Sequence, residues 1–221
     1  MTRFALFLLL AVCTFTSVAQ QGFGNFQSIK QEAGVTVVTT STGKFIFRNY
    51  PGNIVQTTFE GSFYKGEQIS NAVLLKPLAT GMKVKLQTAE KLILTNTVAE
   101  IEILKQPVTI SYRYAKTGDE FYLSNITSKE NHNVLQFNLI DEDEQFFGTG
   151  SRSIPFNKRG FKVGLDNNPW YGYSTNADNL NYSMPFYVSN HNYAVFYDNP
   201  SRGYMDFGKS NKDTLEVAFK S

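Results

Sequence analysis

The chain has 221 residues, a formal net charge of +2 and a single cysteine, Cys13. A nearly neutral chain without a basic stripe makes nucleic acid a poor partner, and one cysteine excludes a disulfide framework and a thiolate metal site. About 200 residues suffice for one large domain or two small ones with a hydrophobic core of their own.

The first nineteen residues have the pattern of an export signal. Arg3 precedes an apolar run over residues 4–12, and the small residues of 17–19 follow where signal peptidase requires them. The apolar run is shorter than the roughly 20 residues that a membrane-spanning helix needs. We therefore expect cleavage after Ala19 and an exported bacterial protein, periplasmic or extracellular, without a membrane span.

Short runs rich in β-branched and aromatic residues dominate from Val35 onward. Several alternate with a period of two, as in MKVKLQT (82–88) and AEIEIL (99–104), and turn pairs such as Pro51-Gly52 separate them. No window of a dozen residues keeps a helical period. The pattern predicts an all-β fold, a sandwich or a barrel. The runs occupy residues 35–40, 44–50, 53–61, 82–88, 91–96, 99–104, 109–114, 120–125 and 133–140.

The last third of the chain differs from the preceding part in its composition and residue pattern. Residues 146–169 are glycine-rich and predict irregular structure, with a tight turn at QFFGTGSRS (145–153). Strand patterns resume afterwards, and the chain stops directly after one of them, whereas complete proteins commonly end more loosely. We therefore expect a truncated chain or an isolated N-terminal region. The later strands are predicted at residues 184–189, 193–199, 203–208 and 214–221.

Residues with metal-binding or catalytic chemistry are sparse. His132 and His191 lie far apart in asparagine-rich turns without recognisable partners, and the acidic run DEDEQ (141–145) lacks the ligand spacing of a calcium loop. We interpret all of them as surface residues. The sequence predicts no metal site and no cofactor.

The stretch GLDNNPWYGYSTNADNLNYSMPFYV (164–188) combines aromatic rings with amide and carboxylate side chains. It contains Trp170, the only tryptophan, beside Tyr171 and Tyr173. Sugar recognition needs flat rings for the C–H faces of a pyranose and polar groups that pair with its hydroxyls. A long loop packed by its own aromatic residues would have the same composition. The residues alone leave both interpretations open.

Four segments, in order, resemble the N-terminal domain of glycoside hydrolase family 31, the α-glucosidase and α-xylosidase family. The run GVTVVTTSTGKFIFRNYPGNIVQTTF (34–59) resembles the family's first strands, and EQFFGTGSR (144–152) is similar to its Gly-x-Gly-Glu turn, with Ser151 in place of Glu. LNYSMPFYVS (180–189) and NYAVFYDNPSRGYMDFG (192–208) resemble the two segments that follow. The resemblance covers nearly all of residues 20–221, which we expect to form one domain.

The resemblance implies a large antiparallel β-sandwich similar to galactose mutarotases. In the family a (β/α)₈ barrel follows and carries two carboxylates, a nucleophile and a general acid/base, which act with net retention. None of that barrel lies in these 221 residues, so the resemblance assigns this chain no catalytic residue. Its implied partners are the barrel of the same polypeptide and an α-linked oligosaccharide.

The family's sandwich also extends a loop over the mouth of the barrel, often with the sequence Asn-x-Asp. Counting back from Pro185 aligns Asn167, Asn168 and Pro169 with that motif, so Pro169 stands where Asp is common. The resemblance then implies that polar residues next to Pro169 form hydrogen bonds with the substrate. It also implies that aromatic residues beside them form walls of the sugar site. The candidate substrate-binding residues are Asp166, Asn167, Asn168, Trp170 and Tyr171.

Three classes of function are compatible with these features. The first is the N-terminal domain of an exported retaining α-glycosidase of α-glucosidase type, with glucosyltransferase, α-xylosidase and α-galactosidase activities as variants. The second is a carbohydrate-binding sandwich without catalysis. The third is a structural or adhesive envelope domain whose loop at 166–187 packs on itself.

Overall fold

The computed structural model describes residues 22–61, 70, 72–114, 120–129, 132–138, 141–168, 171–177 and 180–220. These residues contain sixteen β-strands and no helix. The strands are β1 (Phe26–Glu32), β2 (Val35–Thr40), β3 (Gly43–Tyr50), β4 (Ile54–Gly61), β5 (Lys83–Gln87), β6 (Lys91–Thr95), β7 (Ala99–Lys105), β8 (Val108–Tyr114), β9 (Glu120–Lys129), β10 (His132–Asn138), β11 (Phe146–Gly150), β12 (Lys162–Leu165), β13 (Ser183–Ser189), β14 (Ala194–Phe196), β15 (Gly203–Phe207) and β16 (Thr214–Lys220).

The strands form three sheets in which neighbours are antiparallel. A four-stranded sheet has the order β1-β2-β3-β4, and a three-stranded sheet has the order β11-β13-β14. A nine-stranded sheet has the order β12-β15-β16-β10-β9-β8-β7-β6-β5. The sequential strands β5 to β10 form a meander. β16 then pairs with β10, and β15 pairs with β16, so these later strands extend the sheet beyond β10.

The core follows from the period-two alternation of the strands. In β6 the buried side chains are Leu92 and Leu94, and in β7 Ile101 and Ile103 occupy the same face of the sheet. Alternate positions of a strand point to opposite faces, so these apolar residues line one side of the nine-stranded sheet. They join side chains of the other two sheets in one hydrophobic cluster.

Both smaller sheets pack on the nine-stranded sheet. At one end the hydroxyl of Tyr112 in β8 donates to Thr57 Oγ1 in β4 over 2.9 Å. At the other end the ring of Phe207 in β15 lies 5.2 Å from Phe146 in β11 and 5.6 Å from Tyr187 in β13. The resulting layers confirm the all-β antiparallel sandwich.

The predicted strands of the first 114 residues agree with the structure to within one or two residues at their ends. Three strands were not predicted: β1, β11 and β12. β1 is an edge strand whose residues are mostly exposed on both faces, so it lacks an alternating pattern. The expectation of a turn at 145–153 and irregular structure to residue 169 was wrong for β11 and β12. Residues 139 and 140 of the predicted 133–140 strand lie outside the described residues.

No helix in the described part of the chain is long and apolar enough to cross a membrane. The predicted export signal at residues 1–19 lies outside that part.

Candidate functional site

The segment between β12 and β13, residues 166–182, is the loop that the sequence singles out. It leaves the nine-stranded sheet at its edge strand β12 and enters the three-stranded sheet at β13. Pro169, Trp170 and residues 178–179 lie outside the described residues. The predicted role of Trp170 therefore stays a prediction. The remaining residues define how the loop is held.

Asn167 and Ser183 close the base of the loop. The backbone N–H of Ser183 donates to Asn167 Oδ1 over 2.5 Å. The backbone N–H of Asp166 donates to Ser183 Oγ over 3.3 Å, and this hydroxyl also lies 3.3 Å from the Asp166 carbonyl. Ser183 is buried and the three contacts are partly buried, and they hold both ends of the loop together.

The Arg152 side chain holds the base of the loop at a second point. Its Nη2 donates to the Gly164 carbonyl over 2.7 Å, and its Nη1 donates to the Tyr182 carbonyl over 3.0 Å. Nη1 also donates to the carbonyl of Ser151 over 2.7 Å. A planar guanidinium offers several donors in a fixed fork, so one side chain bonds a residue just before the loop and the last residue of the loop.

The turn that carries Arg152 also supports the far part of the loop. The N–H of Asn176 donates to the Ser153 carbonyl over 2.6 Å, and the N–H of Ser153 donates to the Ala177 carbonyl over 3.2 Å. The turn reaches this position because β11 ends in residues with positive φ. Gly150 has φ of +89°, and a Cβ there would lie 2.4 Å from the Tyr182 carbonyl oxygen. Glycine permits both the backbone conformation and the close approach.

A cleft of about 280 Å³ lies beside the base of the loop. Asp166 Oδ1 accepts an ion-pair contact from Arg202 Nε over 3.1 Å at its edge, where the Arg202 side chain is 70% exposed. Amide, hydroxyl, carboxylate and guanidinium groups thus face one concave surface, which is the chemistry that fits a polyhydroxylated ligand. The lining residues are Leu165, Asp166, Asn167, Ser183, Pro185, Asn199, Pro200, Ser201, Arg202 and Phe219.

The structure brings two of the five predicted site residues together. Asp166 and Asn167 line the cleft, whereas Asn168 and Tyr171 are exposed on the loop outside its lining. Tyr171 is 89% exposed, so its ring is available to a ligand or a partner. The Asn167 Oδ1 is engaged by Ser183, which leaves the amide NH₂ as the group that can address a sugar hydroxyl.

The sequence did not point to the residues that organise this surface. Arg152, Ser183 and Arg202 act on the loop from separate parts of the chain. Each lies within one of the segments that carry the family resemblance, and that placement was the only available signal. Their contacts are formed by the tertiary structure rather than by local spacing.

A buried carboxylate stabilises the hairpin that follows the loop. Glu144, which is 4% exposed, accepts from Ser189 Oγ over 2.6 Å and from the hydroxyl of Tyr193 over 2.5 Å. The expectation that the acidic run 141–145 lies on the surface was therefore wrong for Glu144, whose carboxylate is held inside by these two donors. Burial raises the pKa of both Tyr193 and Tyr187, and the nearby Glu144 charge raises them further. These tyrosines therefore stay protonated, and the cluster anchors β13 and β14 to the start of β11.

Among the residues that the structure describes, no group of three or more His, Cys, Asp or Glu side chains could hold a metal ion. His191 Nε2 lies 3.2 Å from Asp141 Oδ2, which links two surface turns.

Sequence comparison identifies the family. The profile described as the glycosyl hydrolase 31 N-terminal galactose mutarotase-like domain matches residues 16–206. The chain belongs to this family. A comparison with curated protein sequences found no match.

Solved structures with the same fold include several GH31 enzymes. A GH31 dextranase from Flavobacterium johnsoniae, solved in complex with glucose, has a TM-score of 0.80 and 22% identity over 91% of this chain. The cycloalternan-forming enzyme from Listeria monocytogenes, in complex with a pentasaccharide substrate, has a TM-score of 0.72 and 18% identity over 90%. A GH31 α-xylosidase from a soil metagenome, complexed with xylose, has a TM-score of 0.64 and 14% identity over 87%.

The chain spans only a fraction of these proteins. It covers 26% of the dextranase, 19% of the cycloalternan-forming enzyme and 30% of the α-xylosidase. At these identities the likeness concerns the fold.

Proposed function

We propose that the chain is the N-terminal β-sandwich of an exported retaining α-glycosidase acting on α-glucosides. In this proposal a (β/α)₈ barrel of the same polypeptide carries the nucleophile and the general acid/base. The sandwich contributes no reacting group, so these 221 residues alone do not hydrolyse a glycoside. The observation that carries the proposal is the family match over residues 16–206, in a chain that covers 26% of a GH31 dextranase.

We propose further that the loop 166–182 forms one wall of the sugar site. The ties at Asn167 and Arg152 support this, because they fix both ends of the loop and leave its exposed polar and aromatic groups presented on a rigid base. Asp166, Asn167 and Asn168 would pair with sugar hydroxyls, and Trp170 and Tyr171 would stack on pyranose faces. A buried hydroxyl without a partner costs about 1–3 kcal/mol, so such pairing selects the ligand.

Export is part of the same proposal. Phe23 is the first described side chain to enter the core, where its ring contacts Phe45 at 4.8 Å. The predicted cleavage after Ala19 would therefore leave every core residue that the structure describes within the mature chain. Cleavage is tested by the N-terminal sequence of the secreted protein, which should begin at Gln20.

A non-catalytic carbohydrate-binding sandwich is the second candidate. The cleft beside Asp166 and Arg202 favours it, because the cleft is formed by this chain without any further domain. A transferase of the family would pass the glucosyl group to a sugar instead of water, and an α-xylosidase would release xylose instead of glucose. Product analysis distinguishes both from an α-glucosidase.

Steady-state kinetics on the full polypeptide encoded by the gene test the loop. Replacing Tyr171 by Ala removes an exposed ring, and losing about 1 kcal/mol of stacking corresponds to roughly a fivefold lower kcat/KM for an α-linked oligosaccharide. Leu104→Ala is the matched control, because Leu104 is 44% exposed on the nine-stranded sheet. Equal kcat/KM for the two variants would remove Tyr171 from the site.

A further inference from the structure

Thr149 in β11 has a backbone conformation that is unfavourable for its side chain. Its φ is +70°, which lies in the left-handed region. Asparagine tolerates this region because its short polar side chain can hydrogen-bond locally, whereas a β-branched residue there is strained. The other non-glycine residues with positive φ in the described part of the chain are all asparagines: Asn53, Asn176 and Asn192. The strain at Thr149 must therefore be offset by the surrounding structure.

Two close approaches of the backbone flank Thr149. A Cβ at Gly148 would lie 2.8 Å from the Phe186 carbonyl oxygen, and a Cβ at Gly150 would lie 2.4 Å from the Tyr182 carbonyl oxygen. Both positions also have positive φ, +117° at Gly148 and +89° at Gly150. Glycine satisfies both conditions, so neither neighbour has a side chain that could anchor this part of β11. Thr149 supplies that side chain.

The Thr149 side chain is enclosed where β11 meets β13. The two strands pair at Tyr187 on one side of this residue and at Ser183 on the other, so Thr149 alone lies opposite residues 184–186. Thr149 is 0% exposed, and its Oγ1 is buried without a hydrogen-bond partner among the residues that the structure describes. Packing, rather than hydrogen bonding, fixes the side chain.

The residues that directly follow this strained segment hold the candidate loop. The backbone N–H of Ser151 donates to the Tyr182 carbonyl over 2.9 Å, and the Arg152 side chain and the Ser153 backbone bond other parts of the loop and its base. All these donors lie within four residues of Thr149. A rotation of the backbone at position 149 would therefore displace them together.

We propose that Thr149 is a positioning residue: its buried side chain locks the strained segment 148–150 and thereby holds Arg152 and the loop 166–182 in place. The inference rests on the proposed function, in which the loop is a wall of the sugar site, and adds the residue that fixes this wall. A glycine at position 149 would relieve the strain, but it would leave three glycines in succession and no anchor. Strained residues persist where the surroundings over-determine them, and they concentrate at functional sites.

Two substitutions in the full polypeptide encoded by the gene test the proposal. Thr149→Gly removes both the strain and the anchor. Thr149→Val is the matched control, because it keeps the β-branched shape and removes only the hydroxyl. Three quantities are measured for each variant: the Tm, the hydrogen-exchange rate of backbone amides in residues 171–177 and 180–183 by mass spectrometry, and KM and kcat for an α-linked oligosaccharide.

For Thr149→Gly, we expect hydrogen exchange in the loop to be about tenfold faster, because its ties open more often. KM should rise about fivefold while kcat changes less than about twofold, since the wall binds the sugar but contributes no reacting group. The Tm should stay within about 4 °C of the unmodified protein, because relief of strain opposes the lost packing. For Thr149→Val, loop exchange and KM should stay within about twofold of the unmodified protein, and the Tm should not fall, since an unpaired buried hydroxyl is removed.

Three outcomes would overturn the proposal. Unchanged loop exchange in Thr149→Gly would show that the side chain does not hold the loop. Loss of folding in that variant, or faster exchange throughout the sandwich with a much lower Tm, would assign Thr149 to general packing of the core. Equal acceleration of loop exchange in Thr149→Val would assign the effect to the hydroxyl instead of the anchored shape.

Hydrogen exchange does not depend on activity, so the test is separable from that of the proposed function. Faster loop exchange in a polypeptide that hydrolyses no α-glucoside would support the role of Thr149 and remove the glycosidase assignment. Faster loop exchange with an unchanged KM would support the role of Thr149 and remove the loop from the sugar site. Hydrolysis of α-glucosides with unchanged loop exchange in Thr149→Gly would overturn the positioning role alone.

Discussion

Replacing Arg152 by Met tests whether this residue holds the candidate loop. The variant keeps an apolar stem but loses the three donated bonds to the carbonyls of Ser151, Gly164 and Tyr182. The bond to Gly164 is partly buried and is assigned about 1.5 kcal/mol, whereas water replaces most of the two exposed bonds, which are assigned about 0.5 kcal/mol each. We therefore expect a loss of about 2.5 kcal/mol in the free energy of unfolding, or roughly 5–10 °C in Tm.

Urea unfolding followed by tryptophan fluorescence and circular dichroism measures this loss, and limited proteolysis shows whether residues 166–182 become cleavable. Arg202→Met is the matched control, because Arg202 is 70% exposed and its ion pair with Asp166 should contribute less than about 1 kcal/mol. Arg152→Lys keeps the charge but cannot donate to carbonyls on both sides of the loop, so it should recover less than half of the loss. Equal stability of the two Met variants, with an uncleaved loop, would show that Arg152 does not hold the loop.

The remaining predictions concern the backbone at β11, a buried carboxylate and a partly buried tyrosine. Gly150→Ala should cost about 2–4 kcal/mol, because the new Cβ meets the Tyr182 carbonyl at positive φ, whereas Gly52→Ala has nothing within 4 Å and should cost about 1–2 kcal/mol. Thermal unfolding compares them, and equal costs would contradict the close approach at position 150. Glu144→Gln should lose about 1–3 kcal/mol, since the amide accepts less strongly from its two hydroxyl donors; an unchanged urea midpoint would contradict this. Burial raises the pKa of Tyr112 in the folded protein to about 12 from 10.0. The protonated hydroxyl therefore stabilises the folded state fully below pH 10, and this contribution is lost as the pH rises to about 12. Tyr112→Phe should make the fall in stability between those pH values shallower by about 1.4 kcal/mol per pH unit, and an unchanged slope would argue against the shift.

Strand prediction succeeded where one face of a strand is buried and the other is solvated. Residues 91–96 and 99–104 alternate clearly because Leu92 and Ile101, with their neighbours two positions on, fill the core. The failures have local reasons. β1 is mostly exposed on both faces, β12 has only four residues and includes Gly164, and the glycines of β11 resemble a turn in sequence although they pair with β13.

The candidate site was predictable only in part. Asp166 and Asn167 were found through the family resemblance, and both line the cleft. The groups that hold the loop could not be found by spacing, since Arg152 bonds carbonyls 12 and 30 residues away. Such contacts depend on the path of β11 past β13, which no local pattern encodes. The roles of Asp166, Asn167, Asn168, Trp170 and Tyr171 in sugar binding all stay predictions.

Product analysis of the full polypeptide encoded by the gene tests whether the protein is a retaining α-glucosidase. The protein is incubated with an α-linked glucose disaccharide, and ¹H NMR records the anomer that is released first. We predict hydrolysis with the α-anomer formed initially, because a retaining mechanism passes through a glycosyl-enzyme intermediate. A polypeptide that releases no sugar, or that releases the β-anomer first, would contradict it.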